Sequence, residues 1–433
     1  MVRVNGVRLQ HGEKQERLAE FYEGHLISNV LPFWLRTGVD FAHGGVFTCF
    51  DNAGIELKSR DKYTWSQGRF AWMAARIADL GRRGRVCVNP DEYLEMANRT
   101  VKFLRNHVFL ENGHVAFLLD EYGHQKAMPG QDRLDVSIYA DCFVALAFLE
   151  VSRVTNDANL REQAWNLYLN CSERIRAHDY LIEPYPVPDA ITVHGLPMIL
   201  LNLSVEFCSV FQDRQDPHLD EARRHSAEYV SQILRQLDVK TGLILEHVPL
   251  SIMGANEWKF RMLCRHAAPG HTAESVWLMM HAAVHADDFG LLKQCSDILV
   301  KTFAAGWDEE YGGLYRFVGT EGPRTPPVGD LIGIPYEDQI LDTWDMKLWW
   351  VHSEFLYASR LAATLMDDKT LSTIADRVHE YTFATFPNPD ASVGEWIQKR
   401  DRAGKPLDKL VALPVKDPYH ITRDLLLLID LLR

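Results

Sequence analysis

Two histidines in this 433-residue chain follow a proline at the predicted start of a helix. His271 lies in PGHTAESVW with Glu274 three residues later, and His420 lies in DPYHITRDL with Arg423 at the same spacing. Proline favours a first helical turn because its missing N–H is not needed there. The positive end of the helix dipole disfavours a second positive charge, so we expect both imidazoles to be neutral and able to accept a proton.

Other chemistry is compatible with these motifs. A histidine and a glutamate at i and i+3 also occur in metal sites between helices. Such sites recruit matching carboxylates, whereas His420 is followed by Arg423, whose charge disfavours a dication. We therefore predict acid–base chemistry and no metal, with Arg423 as a substrate-binding residue. Each histidine alone could be a structural residue at a helix start, but two at equivalent positions favour a shared chemical role.

An arginine lies within an aromatic helical stripe in KYTWSQGRFAW. Trp65, Arg69 and Trp72 are spaced as one face of a helix. The alternative is an arginine at the edge of the core, with its stem buried and its charge in water. We predict a catalytic role for Arg69 and substrate contacts for Trp65 and the nearby Tyr63.

A cation, an aromatic ring and a carboxylate share one face in WDMKLWWVHSEFLYA. Lys347, Trp350 and Glu354 follow helical spacing. An aromatic plate between polar anchors suits a sugar ring, so we predict that Lys347 and Trp350 bind the substrate and that Glu354 is catalytic. The alternative is a tryptophan-rich core with a surface ion pair.

The elements that position these residues form a repeat. DFAHGGVF at 40–47 and DEEYGGLY at 308–315 share the pattern Asp-x-x-x-Gly-Gly-x-aromatic. The repeated turn glycines are Gly44, Gly113, Gly242, Gly312 and Gly394. They are separated by about 70 residues or roughly twice that interval, which predicts six units with a divergent one near 178–185. Alternating apolar residues after the glycines predict short β-hairpins.

Between the hairpins, apolar residues recur with helical spacing and predict paired helices. The predicted helices are 15–36, 66–81, 92–108, 135–155, 158–176, 194–213, 218–236, 271–287, 289–305, 343–365, 369–386 and 419–432. The unit is longer than those of known open helical solenoids, which favours closure. The predicted fold is all-α, an (α/α)6 barrel of six helical hairpins with short β-hairpins in the loops, as a single catalytic domain over residues 1–433.

Composition excludes several classes of function. The chain is 47% hydrophobic and 24% charged, as in globular proteins. Its formal charge of −13 disfavours nucleic acid as a partner. We find no signal peptide and no stretch approaching the roughly 20 apolar residues of a membrane span. Seven scattered cysteines without a Cys-x-x-Cys motif favour reduced thiols, so the predicted location is cytoplasmic, away from membranes.

Longer motifs resemble a known family. They are FAHGGVFTCF, KYTWSQGRFAWM, LPMILLNL, PGHTAESVWLM, GWDEEYGGLY, MKLWWVHSE, YTFATF and DPYHITRDL. In this order and over nearly the whole chain, they resemble the N-acylglucosamine 2-epimerase family, also called renin-binding proteins, with cellobiose 2-epimerases and mannose isomerases as relatives. That family has an (α/α)6 barrel, in agreement with the repeat.

The resemblance implies that His271 and His420 are the acid–base pair, supported by Arg69, Glu274 and Glu354. The implied reaction opens the sugar ring, removes the C2 proton beside the C1 aldehyde and returns a proton to the opposite face. Arg69 stabilises the developing oxyanion, and Glu274 orients His271 or assists ring opening. No cofactor is required. ATP as an allosteric activator rests on the resemblance alone, since the chain lacks a GxxxxGK[ST] phosphate loop.

The expected partners are a small sugar and a second copy of the chain in a homodimer. The resemblance favours N-acetylglucosamine and N-acetylmannosamine as the interconverted pair. LPMILLNL lacks the histidine that aldose–ketose isomerases carry nearby, but DPYHITR is also similar to cellobiose epimerases. The alternatives are an epimerase or isomerase of mannose, glucose or a cellobiose-like disaccharide, a glycoside hydrolase using Glu274 and Glu354, and a sugar-binding regulator. We expect the proline-rich segment 320–345 to be a loop that shapes the pocket mouth.

Overall fold

The structure is a computed structural model that describes residues 12–250 and 255–433. These residues divide into two compact units. The N-terminal unit comprises the described part of Gln10–Pro184 together with Pro387–Trp396 and Ala412–Arg433. The C-terminal unit comprises the described part of Tyr185–Phe386 together with Ile397–Val411. That residues 1–433 act as a single domain stays a prediction.

The N-terminal unit is built from helices and one small sheet. Its first helices are α1 (Glu13–His25), α2 (Leu31–Phe33), α3 (Thr64–Arg82), α4 (Pro90–His107), α5 (Ile138–Thr155) and α6 (Ala158–Arg176). Two π-helical turns, Leu26–Val30 and Trp34–Gly38, extend α1 and α2. Strands β1 (Lys62–Tyr63), β2 (Leu118–Leu119) and β3 (Gln125–Lys126) form an antiparallel sheet, and β1 lies directly before α3.

The C-terminal unit repeats this organisation. Its helices are α7 (Gly195–Arg214), α8 (Leu219–Leu234), α9 (Ala255–Trp258), α10 (Pro269–His285), α11 (Phe289–Gly306), α12 (Pro335–Thr343), α13 (Trp349–Met366) and α14 (Lys369–Thr385), with a 3₁₀ turn at Met262–Arg265. Strand β4 (His266–Ala267) pairs with β5 (Val318–Gly319), and β6 (Lys347–Leu348) pairs with β7 (Lys399–Arg400). The last helix, α15 (Tyr419–Leu432), belongs to the N-terminal unit.

Within residues 12–250 and 255–433, twelve of the fifteen helices pack in six pairs, three in each unit. In the N-terminal unit α3 packs on α4, α5 on α6, and the first helix α1 on the last helix α15. In the C-terminal unit the pairs are α7 with α8, α10 with α11, and α13 with α14. Helices α10 and α13 also pack on each other, which places the first turns of both beside one another.

Two predictions of secondary structure are wrong. The helix predicted at 343–365 begins at Trp349, because Lys347 and Leu348 form strand β6 instead. The segment 320–345, predicted as a loop, contains α12, which begins at Pro335 with its Glu337 carboxylate accepting backbone N–H groups of the preceding residues. Proline in a first turn and a capping carboxylate are ordinary helix-start signals, which the length of the segment obscured.

Helix α7 departs from the prediction that no apolar stretch is long enough to span a membrane. Among the described residues, Gly195–Arg214 alone is long and apolar enough to cross a membrane by length and composition. However, 78% of its apolar window is buried inside the protein, as in the core helix of a globular protein.

The repeated glycines close short hairpins, as predicted. Each turn is spanned by an antiparallel β-bridge: Val39 with Val46, Phe109 with Val115, Leu237 with Ile244, Trp307 with Leu314, and Pro387 with Trp396. Gly44 has φ +89° and Gly312 has φ +74°, a region that side chains disfavour. In both turns the preceding aspartate, Asp40 or Asp308, accepts backbone N–H groups through its carboxylate.

Buried lysines tie the hairpins to the helices that follow. The Lys62 ammonium, just before α3, lies 2.7 Å from the Asp40 carboxylate. Lys347, just before α13, is 3.1 Å from Asp308 and 3.4 Å from the Gly313 carbonyl, and its side chain has no exposed surface. This enclosure favours a structural role for Lys347 over the predicted contact with the sugar. A third such pair joins Lys416 to Glu395 at 2.7 Å.

Replacing Lys347 with methionine tests this structural role. We expect Lys347→Met to lower the free energy of unfolding by about 1–3 kcal/mol, because the buried Asp308 carboxylate loses one hydrogen-bonded cation and keeps Arg402 at 2.9 Å. Denaturant unfolding measures the loss. The exposed Lys240 provides the control variant Lys240→Met, which should unfold like the wild type. A rise in substrate KM without loss of stability would instead support the predicted sugar contact.

Candidate active site

His271 lies in the first turn of α10 and is held by a carboxylate from another element. Its Nδ1 donates a hydrogen bond of 2.9 Å to Oε2 of Glu246, which follows the Gly242 hairpin. The Glu246 side chain is 5% exposed, whereas that of His271 is 31% exposed. The ring is therefore fixed on its buried edge and remains accessible.

Close charges, and not only the helix dipole, set the protonation of His271. Burial by itself lowers the pKa of this imidazole, but the charge and hydrogen bond of Glu246, with a further contribution from Glu274, raise the pKa above its usual 6.5. The helix dipole that motivated the prediction is outweighed by a full charge at hydrogen-bond distance. His271 is thus a stronger base than a free histidine.

The pair also affects stability. Burial raises the pKa of Glu246, but the neighbouring His271 lowers it well below the usual 4.5. The contribution of Glu246 is therefore present above pH 4.5 and lost in acid, while that of His271 is present below pH 6.5 and lost as the pH rises through its raised pKa. Together the two groups stabilise the fold most between these values.

A second histidine lies beside His271 but is fully engaged. The His194 ring centre is 6.4 Å from that of His271. Its Nδ1 pairs with Oε1 of Gln236 at 2.7 Å and its Nε2 with Oγ of Ser275 at 2.8 Å. Burial lowers the pKa of His194. It is a neutral structural group that packs the first residue of α7 against α10.

Trp350 of α13 packs against His271. The two ring centres are 5.0 Å apart with planes inclined by 36°, and Trp350 is half-buried. Gly270 makes this approach possible, because a Cβ at that position would lie 2.4 Å from Cζ3 of the Trp350 ring and 2.9 Å from Val351. An accessible indole face beside the imidazole agrees with the stacking role predicted for Trp350.

A methyl group at Gly270 should displace the tryptophan. We expect Gly270→Ala to cost about 1–3 kcal/mol of stability through overpacking. It should also lower kcat/KM, because the Trp350 ring moves away from His271. The matched control is Gly24→Ala, a helical glycine with no atom near its hypothetical Cβ, which should be stabilised slightly. Unchanged kinetics in Gly270→Ala would contradict the packing argument.

The two predicted catalytic carboxylates lie on the facing helices α10 and α13. Glu274 and Glu354 are both buried, and each offers a carboxylate oxygen within 4.8 Å of the other. Oε2 of Glu354 accepts a hydrogen bond of 2.8 Å from Nε1 of Trp277, one turn along α10 from Glu274. The indole thus fixes the orientation of one carboxylate.

Trp277→Phe removes this donor while retaining an aromatic ring. We expect a loss of about 1–3 kcal/mol in stability, because a buried carboxylate oxygen loses a hydrogen bond. We also expect a lower kcat, because Glu354 is no longer held. A double-mutant cycle with Glu354→Gln separates the two effects. Additive kinetic losses in that cycle would show that Trp277 does not act through Glu354.

In the N-terminal unit, Arg69 is surrounded by aromatic rings. Its guanidinium carbon lies 4.3 Å from the ring centre of Phe143, 5.1 Å from that of Tyr419 and 5.2 Å from that of Trp65. Its Nη1 is 3.3 Å from Oδ1 of Asp417. Arg69 and Trp65 remain partly exposed. The rings and the carboxylate hold a cation in a fixed place, which suits stabilisation of an oxyanion.

Tyr63 is more deeply buried than Trp65 and Arg69. It is 6% exposed in strand β1, and its ring packs edge-on against Phe117 at 5.5 Å. Burial raises the pKa of Tyr63 to about 12. Its position in the core favours a structural role over the predicted substrate contact.

His420 lies in the first turn of α15, as predicted. Its backbone N–H donates to Oδ2 of Asp417 at 3.2 Å. Nη2 of Arg423, one turn later, is 3.4 Å from Nδ1 of His420, and Nη1 of Arg423 donates to the Tyr419 hydroxyl at 3.3 Å. A guanidinium can only donate, so a neutral His420 carries its ring proton on Nε2. Arg423 is 1% exposed, which favours positioning of His420 over the predicted direct binding of substrate.

Sequence reasoning missed Glu246 and Asp417. Glu246 is 25 residues from His271 and Asp417 is 348 residues from Arg69, so no local motif joins the partners. The position of a residue relative to the repeated turn glycine is a signal that could have identified Glu246. The residue four positions after each turn glycine is polar and buried in four hairpins: Thr48, Glu246, Arg316 and Gln398.

Comparison with known proteins decides the family. The model of the N-acylglucosamine 2-epimerase family matches residues 45–423. This chain belongs to the N-acylglucosamine 2-epimerase family. It is 29% identical over 403 residues to the N-acylglucosamine 2-epimerase of Bos taurus, covering 92% of this chain and 87% of the relative. The chain is thus a carbohydrate epimerase, an isomerase, as predicted.

Solved structures of the same fold cover nearly the whole epimerase chain. Cellobiose 2-epimerase from Bacillus thermoamylovorans superposes with a TM-score of 0.73 at 18% identity, covering 96% of this chain and 99% of the other. A D-mannose isomerase gives a TM-score of 0.73 at 17% identity, covering 97% and 100%. The predicted fold class, an (α/α)6 barrel, is therefore confirmed.

Proposed function

We propose that this epimerase interconverts N-acetylglucosamine and N-acetylmannosamine by removing and returning the proton at C2. The observation that carries the proposal is the Glu246–His271 pair, an accessible imidazole whose buried edge is bonded to a carboxylate. The identity to a curated N-acylglucosamine 2-epimerase over 92% of the chain supports the amino-sugar substrate.

The proposed chemistry takes place on the open-chain sugar. The C1 aldehyde acidifies the C2 proton, and Nε2 of His271 accepts that proton as the electron pair forms an enediolate. His420 returns a proton to C2 from the opposite face. Acid–base assistance of this kind is worth roughly 10²–10⁴-fold in rate.

Arg69 is proposed to stabilise the negative charge that develops on the oxygen at C1. Its partly exposed guanidinium is held by Asp417 and three aromatic rings, so it needs no rearrangement when the charge appears. Glu274 and Glu354 are proposed to assist ring opening. Trp350 is proposed to stack on the sugar beside His271.

A neutral sugar is the second candidate substrate. The chain is 24% identical over 316 residues to a cellobiose 2-epimerase of Bacteroides fragilis. A panel of N-acetylglucosamine, N-acetylmannosamine, mannose, glucose and cellobiose, with products separated by carbohydrate chromatography, distinguishes an amino-sugar epimerase from this alternative.

Isotope exchange tests the proton transfer itself. In deuterated water we expect deuterium at C2 of both N-acetylglucosamine and N-acetylmannosamine, because the removed proton exchanges with solvent. His271→Asn and His420→Asn should each lower kcat by roughly 10²–10⁴-fold. Absence of C2 exchange with every sugar of the panel would reject the proposal.

We also propose a cytoplasmic location and a homodimer. The seven cysteines are all free and six are buried, which suits a reducing compartment. Size-exclusion chromatography with light scattering tests the dimer, and ATP added to the same assay tests the activation suggested by the family resemblance.

A further inference from the structure

We propose that Glu246 is a positioning residue that holds a proton on Nδ1 of His271 and so leaves Nε2 as the atom that takes the proton from the sugar. This inference rests on the proposed function for the identity of the reaction. The state of the His271 ring can be measured without substrate.

The carboxylate is fixed by its own backbone. The Glu246 N–H donates to the His266 carbonyl at 3.1 Å, and the Glu246 carbonyl accepts from the His194 N–H at 2.9 Å. Glu246 therefore lies between strand β4 and the residue that precedes α7. Both neighbouring residues are buried, so the backbone of Glu246 is held within the protein.

The hydrogen-bond chemistry determines the tautomer. An ionised carboxylate only accepts hydrogen bonds, so the 2.9 Å contact requires a proton on Nδ1 of His271. Oε1 of Glu246 is buried and makes no hydrogen bond within residues 12–250 and 255–433. The side-chain hydrogen bond of this carboxylate is thus made through Oε2, to the imidazole.

The other groups around His271 in the C-terminal unit contribute smaller effects. They are His194 before α7, His247 beside Glu246, His266 in β4, Arg316 after the Gly312 hairpin, Trp350 on α13 and Glu274 on α10 itself. Burial lowers the pKa of His194 and His266, and that of His247 to about 3, so these three rings are neutral. Arg316 opposes a charge on His271 and Glu274 favours it.

The test compares Glu246→Gln and Glu246→Asp with the wild type. An amide keeps the shape of the side chain and removes its charge. We expect the acid limb of kcat/KM in Glu246→Gln to move to lower pH by about one unit or more, because the neighbouring negative charge is lost. At the pH plateau kcat should fall roughly 10- to 100-fold with little change in KM, and Glu246→Asp should recover part of the loss.

Nitrogen-15 NMR of labelled histidine tests the ring state directly. We expect the wild-type His271 signal, assigned by its absence in His271→Asn, to show protonated Nδ1 and unprotonated Nε2 above its pKa. In Glu246→Gln the titration should move to lower pH and the Nε2-protonated form should increase. An unchanged titration and tautomer in Glu246→Gln would overturn the proposal.

A control variant and the C2 exchange assay separate failure of the positioning role from failure of the proposed function. Glu337→Gln is the matched control, since Glu337 is also a buried glutamate of the C-terminal unit and its carboxylate accepts backbone N–H groups of Ile332, Gly333 and Ile334. It should lower stability without moving the pH profile. If the wild type exchanges no sugar C2 proton but its NMR titration responds to Glu246→Gln, the proposed function fails and the positioning role stands.

Discussion

The structure depends on pairing a carboxylate from a glycine hairpin with a cation at the start of the next helix. Asp40 with Lys62 and Asp308 with Lys347 are such pairs, and both are almost completely buried. An ion pair of this kind adds little net free energy when formed, but separating the partners costs free energy because a buried charge loses a cation, although Asp308 also contacts Arg402 at 2.9 Å. The pairing therefore fixes where α3 and α13 begin, and with them the first-turn side chains that the chemistry requires.

The Glu246–His271 pair also joins a glycine hairpin to a helix start, but its cationic partner is a histidine and not a lysine. Again a carboxylate after a glycine turn meets a cationic group at a helix start, here α10. Burial lowers the pKa of Lys347 to about 8, yet the lysine is fully enclosed and exchanges no proton with a ligand. Histidine changes its charge near neutral pH, and His271 is partly exposed, so the same junction becomes one that can accept a proton.

Much of the fold was predictable from the sequence, because it rests on local patterns. The turn glycines needed positive φ, and the apolar periodicity located the paired helices. Two prolines located the first turns that carry His271 and His420. Glu246 was not predictable in this way, since its partner is on another element and is reached only through the tertiary fold. Lys347 was wrongly predicted to contact the sugar because its spacing fits a helical face. It lies in strand β6, and its partner Asp308 is also reached only through the tertiary fold.

At the start of α10 a close charge outweighs the effect of the helix end on the pKa of His271. The dipole at the start of α10 acts as a partial positive charge spread over several N–H groups, whereas Glu246 carries a full negative charge at 2.9 Å. At the start of α15 the neighbour of the His420 imidazole is instead the guanidinium of Arg423, which donates to Nδ1. In His271 the same nitrogen, Nδ1, is the donor. The same helix-start geometry thus gives the two rings opposite hydrogen-bond polarity. The proposed reaction removes a proton from one face of a carbon and returns a proton to the other, and it would use this difference between the partners of the two histidines.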